Sequence, residues 1–367
     1  MKKTIKKVGR GMLVAICIIL SFFVITVGIF LISRIANNNA YKIDSDNGIQ
    51  EDVYIEIGSS RQYMQIRGND KGNPVVLWLH GGPGFPLTYM NYYYQSNLEK
   101  DYTIVCLEQR GCGRTYYENG NTANVTFDVL ISDVDEVVEY LKERFEKEKV
   151  IIMAQSWGTV IGMKYLEEHP ENVSAYVGIG QVTQFAQGKI YSAEKAAQLA
   201  NSQGKNADAE KLTTLVNEFE KIDNIEQVNI KALEEMIITS GKYLKAEGEM
   251  SGIKQMSTAL TSPHINLDDA KWFLFASSTE NIISSQTELM DYMYFGFDIN
   301  EINLPPNVPL YFIQGECDYI TPTDMVQIYY DSLNVENKRM VIIENAGHTP
   351  FLDSPDMFYD AIKYCLE

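Results

Sequence analysis

The sequence predicts an α/β fold, in which a mostly parallel central sheet is interrupted by a helical insertion and preceded by one membrane-crossing helix. Three patterns predict it. Six short apolar runs rich in Val and Ile read as strands buried on both faces: Pro74 to Leu79, Tyr102 to Leu107, Val150 to Ala154, Val173 to Ile179, Val308 to Ile313 and Lys338 to Ile343. Helical periodicity separates them, and strand alternating with helix is the mark of a layered α/β sheet. Between about residues 183 and 303 the alternation gives way to Ala-, Glu-, Lys- and Leu-rich helical spacing alone.

At the N-terminus, Lys2, Lys3, Lys6, Lys7 and Arg10 precede an uncharged stretch from Gly11 to Ser33, which Arg34 closes. A helix of about 22 residues rises roughly 33 Å, enough to cross a hydrocarbon core of about 30 Å. Five basic residues before the span and one after it predict a cytoplasmic N-terminus and a body outside the cell membrane. A cleaved signal peptide has a shorter apolar region and a small-x-small site, which Ile35-Ala36-Asn37-Asn38-Asn39-Ala40 lacks. Residues 1–36 are therefore expected to be an uncleaved anchor and residues 37–50 a polar linker.

Val53 to Ile57 and Tyr63 to Ile66 alternate apolar and polar residues around Gly58-Ser59-Ser60, the pattern of an antiparallel hairpin opening the first part of the core, residues 51–182. Leu130, Val134, Val137, Val138, Leu141 and Phe145 fall on one helical face and predict a crossover helix. A second follows Ser156 through Val160, Met163, Tyr165 and Leu166 and stops at His169-Pro170. In the insertion, 183–303, helices are expected over Ala193 to Ala200, Ala209 to Phe219, Ile230 to Leu244 and Ala270 to Phe275. Residues 304–367 return to the core.

Composition sets limits on function. Hydrophobic residues at 45% and charged residues at 22% fit a globular body. The net charge is −18; the first 34 residues hold six of the 31 basic residues and no acidic ones, which leaves 25 minus 49, or −24, on the rest. Such a surface repels nucleic acid and mildly favours cationic substrates, or simply keeps the body soluble. Cys17, Cys106, Cys112, Cys317 and Cys365 have neither a repeated nor a metal-ligand spacing. Asn124-Val125-Thr126 and Asn172-Val173-Ser174 match the glycosylation pattern.

Ala154-Gln155-Ser156-Trp157-Gly158 sits where a buried strand gives way to a helix, the setting of a strained nucleophile turn. The positions two before and two after Ser156 must be small, because strand and helix cross closely there. A hydroxyl nucleophile needs a base, and imidazole has a suitable pKa. There are four histidines: His80 lies in a glycine-rich turn, His169 precedes a helix-ending proline and His264 falls in the insertion. His348, in a loop after the last strand, remains. Asp318, after the strand ending at Ile313, is placed to orient that imidazole, ahead of Glu316 and Asp324. The order Ser, Asp, His is one in which such triads occur. Oxyanion donors would be the amide of Trp157 and one within His80-Gly81-Gly82-Pro83-Gly84.

His80-Gly81-Gly82-Pro83-Gly84, Glu108-Gln109-Arg110-Gly111-Cys112-Gly113-Arg114, Gln155-Ser156-Trp157-Gly158 and Gly347-His348 together resemble the motif series of the proline iminopeptidase family of α/β-hydrolases, from about residue 50 to the C-terminus. The resemblance implies an α/β-hydrolase fold with a helical cap, Ser156, Asp318 and His348 as catalytic triad, and Gly82 and Trp157 as oxyanion donors. It implies two-step acyl transfer that requires no metal or cofactor, on a short peptide with a free N-terminus. Glu108 stands where the family usually has aspartate, and Ala154 where it usually has glycine. In members that cleave N-terminal residues, cap carboxylates bind the substrate amine; Glu234, Glu235, Glu247 and Glu249 are candidates, none of them assigned. An esterase, lactonase or amidase acting on small acyl compounds would keep the same triad, and a non-catalytic binding protein could keep the same frame. An epoxide hydrolase or dehalogenase would need aspartate in place of Ser156.

Overall fold

The computed structural model describes residues 2–120 and 125–367, with side chains from Met12 onward. Eight strands form one sheet in the order β1-β2-β4-β3-β5-β6-β7-β8. These are β1 Ile49–Ile57, β2 Ser60–Gly68, β3 Val75–Leu79, β4 Thr103–Leu107, β5 Val150–Gln155, β6 Val173–Ile179, β7 Leu310–Gly315 and β8 Lys338–Ile343. β1 pairs antiparallel with β2, and β2 antiparallel with β4; every later pairing is parallel. The six apolar runs are thus the parallel strands, and the alternating pair is the hairpin at the edge. β3, β4, β5 and β7 are buried at every residue because helices cover both faces.

One face carries helices Phe127–Phe145 and Trp157–Glu168, whose Val134, Val137, Leu141, Val160 and Leu166 pack with Leu77, Val105 and Ile152 of the sheet. The other face carries helix Pro355–Leu366, with Phe358 and Ile362 set among Trp78, Ile104, Met153 and Ile313. Each fully buried aliphatic side chain contributes about 2 kcal/mol, so the two layers supply most of the stability. Labelled in chain order with α1 Lys2–Ala40, the first five helices between β6 and β7, and α9 Thr323–Ser332, these become α2, α3 and α10.

Between β6 and β7 lie α4 Phe185–Ser202, α5 Asn206–Phe219, α6 Ile230–Leu244, α7 Gly252–Leu260 and α8 Leu267–Lys271, with a wider turn over Trp272–Ala276. Ala193, Ala196 and Ala200 of α4 are buried against Leu212 and Val216 of α5 and Leu233 and Met236 of α6. α7 is helical although its sequence drew no expectation of a helix. It carries Ser251 as N-cap, whose hydroxyl accepts from Lys254 N–H.

The N-terminal segment differs from expectation at its end. α1 runs without interruption to Ala40, and the linker expected from Asn37 begins only at Tyr41. The cause is tertiary: Arg34 Nη2 donates to Ile265 O at 3.0 Å, and Asn37 Nδ2 donates to Thr261 O at 2.9 Å, so the polar turn is held against the body. The portion Met12–Ala40 is long and apolar enough to cross a membrane, and an apolar 18-residue stretch of it is left unburied by the rest of the chain. Of the two glycosylation patterns, Asn124 lies outside the described residues. Asn172 is buried and bonded to Lys142 and Tyr165, so no sugar could be attached there without unpacking α3.

Candidate active site

Ser156 ends the turn from β5 into α3 with φ 51° and ψ −121°, a conformation that costs about 1–3 kcal/mol and persists only where surrounding bonds enforce it. Here the Ser156 amide donates to Ile179 O at 2.9 Å, and its carbonyl accepts from Thr159 N–H at 2.7 Å and Thr159 O–H at 2.6 Å. The small neighbours are explained by contact. A Cβ on Gly158 would lie 2.2 Å from Leu79 O, because α3 crosses β3 there. On the other side, Ala154 is accommodated because it faces Gly162, whose own Cβ would sit 3.1 Å from the Ala154 methyl. The methyl that replaces hydrogen at Ala154 is thus matched by a hydrogen one and a half turns into α3.

Asp318 and His348 are brought together from the loops after β7 and β8. His348 Nδ1 donates to Asp318 Oδ2 at 2.9 Å. Asp318 is buried, and its remaining acceptor positions are filled: Oδ1 accepts from the amides of Ile320 and Thr321, both at 2.9 Å, and Oδ2 also accepts from Thr321 O–H at 2.7 Å. Burial by itself would raise this carboxyl, but the adjacent His348 and the Thr321 bonds outweigh it and hold it below the ordinary value of 3.8. The Asp318 carboxylate therefore fixes the imidazole with hydrogen on Nδ1 and leaves Nε2 as acceptor. Gly180, at φ 55°, makes room for the ring: a Cβ there would lie 3.0 Å from His348 Cε1.

Ser156 and His348 line one cavity of about 740 Å³, roofed by Phe185, Met256, Phe273 and Leu274 and floored by Gly81 and Gly82. Among the described residues the amides of Gly82 and Trp157 have no acceptor. Gly82, at φ 127°, is folded so tightly that a Cβ would strike Gly84 N at 2.3 Å. Trp157 is the first residue of α3, where a helix leaves its amides free.

The other expected residues serve the frame. Glu316 accepts from the Asn345 amide, and Asp324 is held at the surface by Tyr191 and Lys195. His80 is buried, its Nδ1 donating to Gly81 O at 2.7 Å and its Nε2 accepting from Gln109 N–H at 3.2 Å; burial lowers its pKa to about 4, so it is neutral. Gln109 then ties His80 O, two residues before Gly82, to the Trp157 indole through bonds of 3.0 and 3.1 Å. Arg110 pairs with Asp133, and Arg114, in the short helix Gly113–Glu118 after β4, grips both oxygens of Asp269 at 3.0 and 2.8 Å, joining that helix to α8. Glu108 accepts from Thr88 O–H and from the Arg114 amide at 2.6 Å; burial, only partly offset by Arg114, raises it to about 7.

Three residues around Ser156, Asp318 and His348 were not foreseen. Thr321 bridges Asp318 and His348, a role hinted at by Asp318-Tyr319-Ile320-Thr321, since an aspartate readily accepts from groups two and three residues on. Gly180 follows the end of β6. Lys189 of α4 is buried, donates to Ile320 O at 3.1 Å behind the Asp318 loop and lies 4.2 Å over the Phe185 ring; burial lowers its ammonium to about 7, with Asp318 opposing. Periodicity placed Lys189 on a helix but gave no sign of what that helix covers. Of the four candidate cap acids none lines the cavity; Glu249 lies closest to His348, its side chain against Gly347. Asp269 is the one carboxylate among the described residues lining the cavity, and Arg114 already occupies it.

A strained serine turn at the carboxyl end of β5, and an aspartate after β7 bonded to a histidine after β8 of a mostly parallel sheet, form the arrangement of a known class. The chain belongs to the α/β-hydrolase fold family, whose model matches residues 74–355, and it is a serine hydrolase of that family. It is similar, at 27% identity over 311 residues, to the probable aminopeptidase YbaC of Bacillus subtilis (strain 168), covering 84% of this chain and 94% of that relative. It is 32% identical over 126 residues to the proline iminopeptidase of Neisseria gonorrhoeae, covering 34% of this chain but only 38% of that enzyme. The chain thus matches nearly all of the first relative and little more than a third of the second. In structure it is similar to a proline iminopeptidase-related protein of Thermus thermophilus, with a TM-score of 0.56 at 18% identity over 87% of this chain and 97% of that one, a likeness of fold.

Proposed function

We propose that this chain is a membrane-anchored aminopeptidase that releases the N-terminal residue of short peptides through an acyl-enzyme on Ser156. The observation that carries the reading is the Asp318–His348 pair, at 2.9 Å, opening on the same cavity as the strained Ser156. His348 Nε2 takes the hydroxyl proton as Ser156 attacks the carbonyl, and the amides of Gly82 and Trp157 receive the developing oxyanion. His348 gives the proton to the leaving amine and then activates the water that frees the acyl group. The imidazolium formed in each step faces an Asp318 already ionised and fully bonded, so no group must reorganise to stabilise it.

The substrate class draws support from the near full-length similarity to a relative named probable aminopeptidase. Residues 183–303 act in this reading as a cap that narrows the entrance and excludes folded proteins. α1 is the anchor, with its basic end in the cytoplasm and the catalytic body outside. A second reading, an esterase or amidase for apolar acyl groups, is favoured by the cavity lining: Phe85, Leu87, Met90, Phe185, Phe273 and Leu274 are apolar, and Asp269 has no free oxygen. A panel of chromogenic aminoacyl amides, including proline, beside simple acyl esters separates the two. Amide turnover that exceeds ester turnover and disappears in Ser156→Ala supports the peptidase; turnover of esters alone removes it.

A further inference from the structure

We infer that the outer surface of α7 and the segment Leu267–Phe275 lie against the lipid bilayer, so that the mouth of the active-site cavity opens at the membrane surface. The inference rests on the reading of α1 as a membrane anchor.

Isolated apolar side chains on a surface are ordinary, but a cluster of them is not. Here Ile253 is 85% exposed, Met256 66%, Leu267 77%, Leu274 73% and Phe275 74%. Ile253, Met256 and Leu260 share one face of α7 at the helical spacing of three and four residues. That helix carries no carboxylate, in a chain that holds 49 acidic residues, and its one charge is Lys254. A bare apolar stripe with a flanking lysine is the composition of a helix lying in the interface of a membrane.

The position of the anchor says what covers this surface. Arg34, which closes the apolar span, donates to Ile265 O at 3.0 Å, and Asn37 donates to Thr261 O at 2.9 Å. The ring of Tyr41 meets Tyr92 edge-on at 5.4 Å, and Tyr92 O–H donates to Thr258 O at 2.7 Å. The point where the chain leaves the membrane is thereby fixed to the C-terminal end of α7. From Thr261 back along the helix to Ile253 is about 12 Å, and from Leu267 forward to Phe275 about the same. Leu267 itself is two residues, at most about 7 Å, from the carbonyl that Arg34 holds. Every member of the cluster is therefore within about 20 Å of the point where Arg34 and Asn37 hold the anchor to the body.

Three residues of the patch, Met256, Leu260 and Leu274, also line the cavity. The apolar surface and the cavity therefore share side chains where the two meet. A substrate dissolved in the outer leaflet reaches Ser156 without crossing water, and the class favoured is an amphiphile whose apolar part partitions into lipid.

The test uses the full chain in phosphatidylcholine–phosphatidylglycerol vesicles carrying a phospholipid with a diazirine on its acyl chain. After irradiation, lipid adducts are mapped by peptide mass spectrometry. Adducts on residues 252–260 and 267–275, at least tenfold above those on α9, support the proposal; α9 exposes Ile328 at 68% and serves as the control for an exposed apolar residue outside the cluster. Ile253→Glu with Phe275→Glu, neither of which lines the cavity, should then cut labelling of both segments at least fivefold. Residues 12–33 should stay labelled, and a fluorophosphonate should still label the variant, which reports an intact fold. Adducts confined to residues 12–33 overturn the proposal and leave the anchor standing; no adducts on residues 12–33 overturn both. Cross-linking of α7 to a second copy of the chain in place of lipid overturns it as well.

Discussion

Replacing Asp318 with asparagine exchanges one oxygen for an amine of nearly the same size, and the bonds around it dictate which one. Oδ1 faces two backbone donors, the amides of Ile320 and Thr321 at 2.9 Å, which cannot turn into acceptors. Oδ2 faces the Thr321 hydroxyl, which rotates, and His348 Nδ1, which can lose its hydrogen. The new amine is therefore driven to the His348 side. There it donates to Nδ1, moves the imidazole hydrogen to Nε2 and leaves the base unable to accept a proton from Ser156. A triad held in the wrong tautomer loses about 10⁴-fold in kcat, or about 5 kcal/mol of transition-state stabilisation. The fold should be little affected, because the two amide bonds to Oδ1 are kept and the bonds to Thr321 and His348 persist with their direction reversed. The assay is turnover of an activated acyl ester by the full chain at pH 7 to 9, beside urea denaturation. A loss below tenfold, with stability unchanged, would refute the role assigned to Asp318.

Three further outcomes follow from the same contacts. Gly158→Ala puts a methyl 2.2 Å from the Leu79 carbonyl oxygen, against backbone on both elements. It should cost at least about 1–3 kcal/mol in urea unfolding and slow fluorophosphonate labelling of Ser156 by more than tenfold. Arg114→Met strands the buried carboxylates of Asp269 and Glu108, and should destabilise by about 3–5 kcal/mol in the same measurement. Glu108 binds its proton more tightly folded, at about 7, than unfolded, at about 4.5. Its contribution to stability is thus complete below about pH 4.5 and lost as pH rises to about 7, a change of about 3 kcal/mol. Glu108→Gln should remove that part of the pH dependence in chemical denaturation between pH 5 and 8; an unchanged slope would contradict the assignment.

The inner sheet was legible because β3, β4, β5 and β7 are buried on both faces: an uninterrupted run such as Val150 to Ala154 has no other economical reading once a helix follows it; Lys338 to Ile343, read the same way, is instead the half-buried edge strand β8, with Ile342 exposed. The hairpin was legible for the opposite reason, since Val53 to Ile57 alternates at an edge. α7 was not, because Ile253, Met256 and Leu260 point outward, so the apolar spacing does not report on the core that usually creates it. The helix end was misplaced at Asn37 because three consecutive asparagines have poor helix propensity, and only the contacts of Arg34 and Asn37 with the body reverse that. Among the candidate site residues, Ser156, Asp318 and His348 could be named because each follows a recognisable strand. Thr321, Gly180 and Lys189 could not, because their places depend on how loops from β6 and β7 and the helix α4 meet in space.

The most direct measurement is the site of covalent labelling by a fluorophosphonate in the full-length protein, read by intact mass and peptide mapping. A single adduct on Ser156 is expected, formed at least about 10³-fold more slowly in Asp318→Asn and His348→Ala and not at all in Ser156→Ala. Labelling of another serine, or labelling of Ser156 at the same rate when His348 is removed, would contradict it.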